Sequence, residues 1–317
     1  MSRTPDHGIW TIDTGFGGAQ FDAAYLIVED GQAAFVDCGT THSVPRMLAA
    51  LDQAGIAPAQ VAWLVLTHVH LDHAGGAGAL LQQLPSARVL VHPRGAPHLI
   101  DPSRLIAGAS AVYGEAELAR SYGRVLPIAE ERIVAASDGH RVRLGARELR
   151  SIETPGHARH HVCLWDARSR SWFTGDTFGL SYRALDSAQG PLILPTSSPV
   201  QFEPEAMLAS IARLLETAPE AMYLTHYGRV APPAPLAQAL AEQIHAMTAL
   251  ARECNAHADP AQRHRCLVAA LTALYLQRAR DHGCAQDAAT IAHLLATDIE
   301  LNAQGLACWL DRAPRAQ

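Results

Sequence analysis

Thr67-His68-Val69-His70-Leu71-Asp72-His73-Ala74-Gly75-Gly76 places three imidazoles and one carboxylate within six positions, directly behind the apolar run Val61 to Leu66. That run predicts a short buried strand. His68 and His70, two apart on its extended continuation, then share one side of the chain and can grip one ion. Asp72 and His73 follow where the chain turns toward a helix, which re-aims them at a second position beside the first. Gly75 and Gly76 are expected to let the backbone turn there without steric cost. A polar histidine-rich loop accounts for any one of these side chains alone. Only a metal accounts for the spaced set, because nitrogen and oxygen donors are what divalent zinc or iron takes.

This H-x-H-x-D-H signature resembles that of the metallo-β-lactamase superfamily. Further elements of that family follow in chain order: Thr154-Pro155-Gly156-His157 matches its third histidine, Thr174-Gly175-Asp176 its bridging aspartate, and Leu224-Thr225-His226 its last histidine. Upstream, Phe35-Val36-Asp37-Cys38-Gly39 matches the strand-end aspartate that stands behind the histidine loop. Each match ends an apolar or alternating segment. The resemblance spans residues 9 to 229. It implies that His68, His70 and His157 hold a first metal, that Asp72, His73 and His226 hold a second, and that Asp176 bridges them. His161 matches the second histidine of the glyoxalase-like P-G-H-x-x-x-H pattern, where it supports the ligands, while His160 reads as surface or structural.

Composition bounds the rest. With 317 residues, 49% of them hydrophobic, the chain can bury one large domain and carry an appendage. No run is apolar for the length a membrane span needs, and the N-terminus, Met1 to Gly8, lacks an apolar signal core. A formal charge of −6 with 25 Lys and Arg argues against a nucleic-acid partner, which clustered cations would bind. The six cysteines, at 38, 163, 254, 266, 284 and 308, include no C-x-x-C pair. They read as reduced, mostly buried thiols of a cytoplasmic protein.

Taken in order, Ile9 to Thr14 and Ala24 to Glu29 predict strands, and Asp30-Gly31 predicts the hairpin that leads to Ala33-Ala34-Phe35-Val36. Helices are expected over 44–54 and 78–84, with a strand at 88–91. This alternation of strand and helix predicts an α/β class. The resemblance specifies it as an αββα sandwich with the metals at one edge of the sheets. Residues 92 to 135 read as an insertion with a helical pattern from Pro102 to about Tyr122, near the active site, where His92 is structural and His98 can face the pocket. Strands follow at 141–144 and 148–152, where arginines alternate with apolar residues as one wet and one dry face, and a hairpin joins 162–165 to 172–174. The irregular stretch from Thr177 to Pro199 is expected to be a substrate loop, with Tyr182 and Arg183 its contacts to a polar or anionic substrate. A helix over 203–217 and a strand over 221–224 complete the catalytic domain, residues 1–231. Pro232-Pro233-Ala234-Pro235 marks the boundary to a helical extension, residues 232–317, with helices at 236–254, 263–280 and 288–310 and a break near Asp298. Such a tail packs on the domain or carries a homodimer interface.

The ligand set implied by the resemblance sets the chemistry. Two divalent ions, zinc first and iron or manganese as alternatives, lower the pKa of a shared water. The hydroxide attacks an ester, thioester or lactone, with Asp72 taking the proton and Asp37 orienting a ligand from behind. Asp176 argues against a lactam substrate, since true β-lactamases of the superfamily commonly lack that residue. His70 stands where flavodiiron proteins usually carry Glu, and Gly179 stands where quorum-sensing lactonases have tyrosine. The basic glutathione-binding residues of glyoxalase II have no clear match in the tail. The first alternative is a mononuclear-iron thiol or persulfide dioxygenase of the same superfamily, and the second a non-catalytic metal-binding protein.

Overall fold

The computed structural model describes residues 6–197, 199–257 and 259–312, so Met1 to Pro5 of the stretch read for a signal core lie outside the described residues, as does Ser198 of the irregular stretch. The chain forms two compact units. The first comprises residues up to Glu153 together with His160–Gly175 and Pro219–Arg229; the second comprises Thr154–Arg159, Asp176–Ala218 and the chain from Val230 onward.

In the first unit one six-stranded sheet runs in sequence order: β1 (Ile9–Asp13), β2 (Ala23–Glu29), β3 (Gln32–Val36), β4 (Val61–Val65), β5 (Arg88–Val91) and β6 (Ile133–Ala135). β1, β2 and β3 are antiparallel neighbours. The β2–β3 hairpin turns on Asp30 and Gly31, both at positive φ (48° and 72°), the backbone twist that a two-residue hairpin demands. From β3 to β6 the strands are parallel, so helices must carry the chain back. α1 (Val44–Ala54) does so first and stops at Gly55, which adopts a left-handed φ of 68°. α2 (Leu71–Ala74) and α3 (Ala77–Leu81) serve the next crossover, α3 being shorter than the expected 78–84. Leu26, Phe35, Leu64 and Val89 of the sheet pack with Met47 and Leu51 of α1 and with Leu80 and Leu84 into one apolar core.

The connection from β5 to β6 holds α4 (Ala96–Ile100), α5 (Ser103–Tyr113) and α6 (Glu115–Tyr122). The insertion read as running to residue 135 therefore ends in a core strand. Ile133-Val134-Ala135 is too short to show a period of two, and pairing with β5 alone makes it a strand.

A second sheet has the order β12-β11-β10-β9-β8-β7. Its strands are β7 (Arg141–Leu144), β8 (Arg147–Glu153), β9 (Val162–Asp166), β10 (Ser171–Gly175), β11 (Ala221–Leu224) and β12 (Gly228–Val230). β7 exposes Arg141 and Arg143 and buries Val142 and Leu144. Arg147, at the head of β8, breaks the wet-face rule: it is buried, with Nε 2.9 Å from Asp166 Oδ1. The two sheets meet at Tyr25, whose ring lies 5.2 Å from Phe173 and 5.3 Å from Tyr223 and whose hydroxyl donates to the Leu224 carbonyl.

The second unit is mainly helical: α7 (Pro204–Leu215), α8 (Pro233–Cys254), α9 (Pro260–Asp281), α10 (Ala288–Leu294) and α11 (Ala296–Arg312). The prolines of the expected boundary open α8, Pro232 preceding it and Pro233 starting it, because a first-turn residue needs no amide hydrogen and proline's fixed φ already suits a helix. Asn302 of α11 holds the irregular stretch, accepting from Ser197 N (2.6 Å) and donating to Pro195 O (3.1 Å) and to the buried Tyr275 hydroxyl (2.8 Å). One cysteine expectation is corrected here: Cys254 and Cys266 form a disulfide between α8 and α9, whereas Cys38, Cys163, Cys284 and Cys308 are free. Their separation of 12 residues fits no common motif, so only the folded helices bring them together. Among the described residues no helix is long and apolar enough to cross a membrane.

Candidate metal centre

The first unit brings five of the expected ligands to the ends of β4 and β11. Beyond β4 the chain bends at Thr67 and reaches His70 in extended backbone (φ −63°, ψ 151°), and the rings of His68 and His70 meet, with Nε2 of the first 2.9 Å from Nδ1 of the second. α2 begins at Leu71 and swings the next two side chains round. His73 Nε2 then lies 3.8 Å, and His226 Nε2 3.5 Å, from the same oxygen of Asp72, Oδ2. One donor atom each from Asp72, His73 and His226 lies within 4.8 Å of the others, a spacing that can hold a metal ion.

Both histidines of this trio have their other ring nitrogen occupied. His73 Nδ1 is 2.8 Å from Asp37 Oδ2, and His226 Nδ1 is 3.0 Å from the Phe21 carbonyl. A carboxylate or a carbonyl at Nδ1 fixes the proton there and leaves Nε2 with a lone pair for a metal, the arrangement common behind metal-binding imidazoles. Asp37 itself sits in left-handed backbone (φ 55°), tolerated by a short polar side chain. The conformation is over-determined by its contacts: Asp37 accepts from Thr67 N (2.8 Å), Thr67 Oγ1 (2.8 Å) and Thr225 Oγ1 (3.1 Å) as well as facing His73. It thereby ties β3, the histidine loop and the His226 strand end together.

Gly75 and Gly76 let the chain turn without steric cost, as expected, and they do so by close approach and not by left-handed backbone. Neither adopts positive φ; Gly75 is at −61° and Gly76 at −83°. A side chain at either would instead strike backbone, since a Cβ at Gly75 would lie 2.3 Å from Leu71 O and one at Gly76 2.4 Å from Thr40 O. The glycines are there for close approach.

Further histidines surround the loop. His161 stacks on His68 (4.9 Å, 30°), and Gly175 (φ 47°) makes room for it, because a Cβ there would lie 2.6 Å from His161 Nε2. His160, read as surface or structural, is buried and its ring lies 5.8 Å from that of His70. His98 in α4 stands 6.3 Å from His160. His92 is occupied elsewhere, its Nε2 3.4 Å from Glu153 Oε1. Asp22 escaped the sequence reading, because one carboxylate between Phe21 and Ala23 carries no motif. It is fully buried and accepts from Thr14 Oγ1, and burial pushes its pKa up to about 7 against the opposing pull of His226 and His73.

The second unit contains the other two expected ligands, brought together. Gly156 (φ 135°) passes so close to α7 that a Cβ would lie 2.4 Å from Met207 Cα, and this tight bend presents His157. His157 Nε2 is 3.3 Å from Asp176 Oδ2. Its Nδ1 is 3.2 Å from Thr196 Oγ1, which donates to the Asp176 carbonyl (3.0 Å). Tyr182 is buried, with its hydroxyl 3.1 Å from Asp298 Oδ1, and Arg183 folds back on the Ser181 carbonyl (2.6 Å) and toward Asp186 (3.4 Å). The polar heads of both expected substrate contacts are thus engaged within this unit.

Comparison with known proteins bears on the family and the fold. The sequence model of the metallo-beta-lactamase superfamily matches residues 17–226. A metallo-beta-lactamase fold-containing protein of Sulfurisphaera tokodaii is 27% identical over 233 residues, 72% of this chain and 81% of the relative. A hydroxyacylglutathione hydrolase of Xanthomonas euvesicatoria is 29% identical over 216 residues, 63% of this chain and 68% of the relative. Among solved structures, an archaeal metallo-beta-lactamase superfamily protein from Sulfolobus tokodaii superposes with a TM-score of 0.66 at 23% identity, covering 95% of this chain and 99% of the other. A metallo-beta-lactamase family protein of Thermus thermophilus gives 0.59 at 21%, covering 95% and 91%. At these identities the structures speak for the fold.

Proposed function

Because the chain belongs to the metallo-beta-lactamase superfamily, whose members are mostly metallohydrolases, we propose that it hydrolyses an ester, thioester or lactone at a centre of two divalent metal ions. The observation that carries this reading is the trio Asp72, His73 and His226, in which each imidazole has its Nδ1 side held and its Nε2 directed at one carboxylate oxygen. The donor chemistry fits a divalent ion of zinc type, and iron and manganese accept the same donors. In this reading Asp72, His73 and His226 hold one ion, His68, His70 and His157 the other, and Asp176 serves both.

Bound divalent metal supplies hydroxide near neutral pH by lowering the pKa of water. Asp72 would accept the proton that the water loses in becoming hydroxide, being the least buried carboxylate of the set, its side chain 23% exposed. Asp37 holds His73 in one tautomer and orientation, and Thr67 and Thr225 hold Asp37. The second nitrogen of His157 is steadied by Thr196. No serine or cysteine nucleophile is needed, and Cys38 is unsuited to that role because burial pushes its thiol well above its ordinary pKa. Similarity to a hydroxyacylglutathione hydrolase supports acyl transfer to water.

The test is a panel of aryl esters, acyl thioesters and lactones offered to metal-replete protein. Turnover that a chelator abolishes is expected, with Asp72→Asn lowering kcat by about 10²–10⁴-fold. Metal-replete protein that hydrolyses none of the panel but consumes oxygen with a persulfide would overturn the reading.

A further inference from the structure

We propose that the substrate carries an apolar acyl arm, seated on an aromatic wall that runs from His226 to the α5–α6 insertion. The proposal rests on the hydrolase reading and specifies its substrate class. Phe21 is the start of the wall: its carbonyl faces His226 Nδ1, and its ring meets the His226 ring edge-on at 5.7 Å. Phe16 continues it, 6.2 Å from the Phe21 ring and 5.1 Å from that of Tyr122 in α6. Tyr122 in turn is part of a buried apolar cluster with Leu71 and Leu118, against which Phe16, Ile106 and Ala109 pack half-buried. Leu71 stands between His70 and Asp72 in the sequence, so the wall touches the metal-binding loop at one end and His226 at the other.

The β1–β2 loop holds the Phe21 ring in place. Gly17 takes a left-handed φ of 69°, and a Cβ there would lie 2.2 Å from the Phe21 ring, so only glycine leaves that ring in place. The inner end of the wall is polar, with Asp72 and His226, whereas the rings and aliphatic groups beyond carry no charge. A ligand matching both ends is amphipathic: a carbonyl beside Asp72 and a hydrocarbon arm along Phe21, Phe16 and Ile106. A short polar acyl group would leave these half-buried apolar faces against water. Each methylene of an arm that the wall covers fully contributes about 0.8 kcal/mol, roughly fourfold in binding.

The experiment compares kcat/KM for p-nitrophenyl acetate, butyrate and octanoate, each divided by its rate of alkaline hydrolysis. The normalised octanoate-to-acetate ratio is expected to exceed about tenfold. Phe16→Ser should bring it toward one and Phe16→Leu should preserve it, a pattern that general unfolding would not give. Measurable acetate turnover with a ratio at or below one, or a ratio that Phe16→Ser leaves unchanged, would overturn the acyl-arm proposal and leave the hydrolase reading standing. No turnover of any ester, thioester or lactone would remove the hydrolase reading, and this proposal with it.

Discussion

Asp37 touches every strand end that delivers a ligand in the first unit, which makes it the residue whose chemistry is most exposed to test. Asp37→Asn keeps the shape and an oxygen for Thr67 but replaces the carboxylate facing His73 Nδ1. Metal affinity measured by chelator competition should fall about 10–100-fold; unchanged affinity would mean that the Asp37 charge does not act through His73. Gly175→Ala places a methyl against His161 and Thr67 in left-handed backbone, and should cost more than about 1 kcal/mol in urea unfolding. Asp22 yields a pH prediction. Its pKa is 3.8 ordinarily and about 7 when buried here, so the neutral carboxyl is favoured in the fold. That contribution is fully present below the ordinary value and is lost as pH rises toward 7. In metal-stripped protein Asp22→Asn, which cannot ionise, should therefore gain stability over the wild type between pH 4 and pH 8; a gap between the two that does not move with pH would contradict it. At this scale the imidazoles were legible because a strand end and a helix start fix where i, i+2 and i+5 side chains point. Asp22 and His160 were not, since only tertiary packing brings them to the loop.

Elements read from the sequence failed where a partner decides the outcome. The hairpin at Asp30-Gly31 and the stop of α1 at Gly55 depend on local backbone and were legible. β6 is three residues stabilised by pairing, and α8 and α9 begin earlier than their apolar stripes because prolines 233 and 260 occupy first-turn positions. The disulfide between α8 and α9 depends on how the helices approach, which spacing alone does not encode. Closing a loop of 12 residues should contribute about 3 kcal/mol, so reductant, or the double change Cys254→Ser with Cys266→Ser, should lower the melting temperature of the protein by several degrees. Equal melting of oxidised, reduced and double-variant protein would show that the bond contributes nothing.

At the scale of the molecule, the first unit brings Asp72, His73 and His226 within the spacing that can hold a metal ion. The family was legible in the sequence, since its model matches residues 17–226, whereas the packing of the β1–β2 loop against the insertion, on which the proposed acyl arm rests, is recorded by no motif. The measurement that tests the central claim most directly is elemental analysis of protein purified without added metal, paired with its melting curve before and after chelation. The account predicts about two divalent ions per chain, with chelation lowering the melting temperature and an Asp176→Ala variant losing both metal and turnover. One iron per chain in protein that gains no second ion on titration with zinc would contradict it.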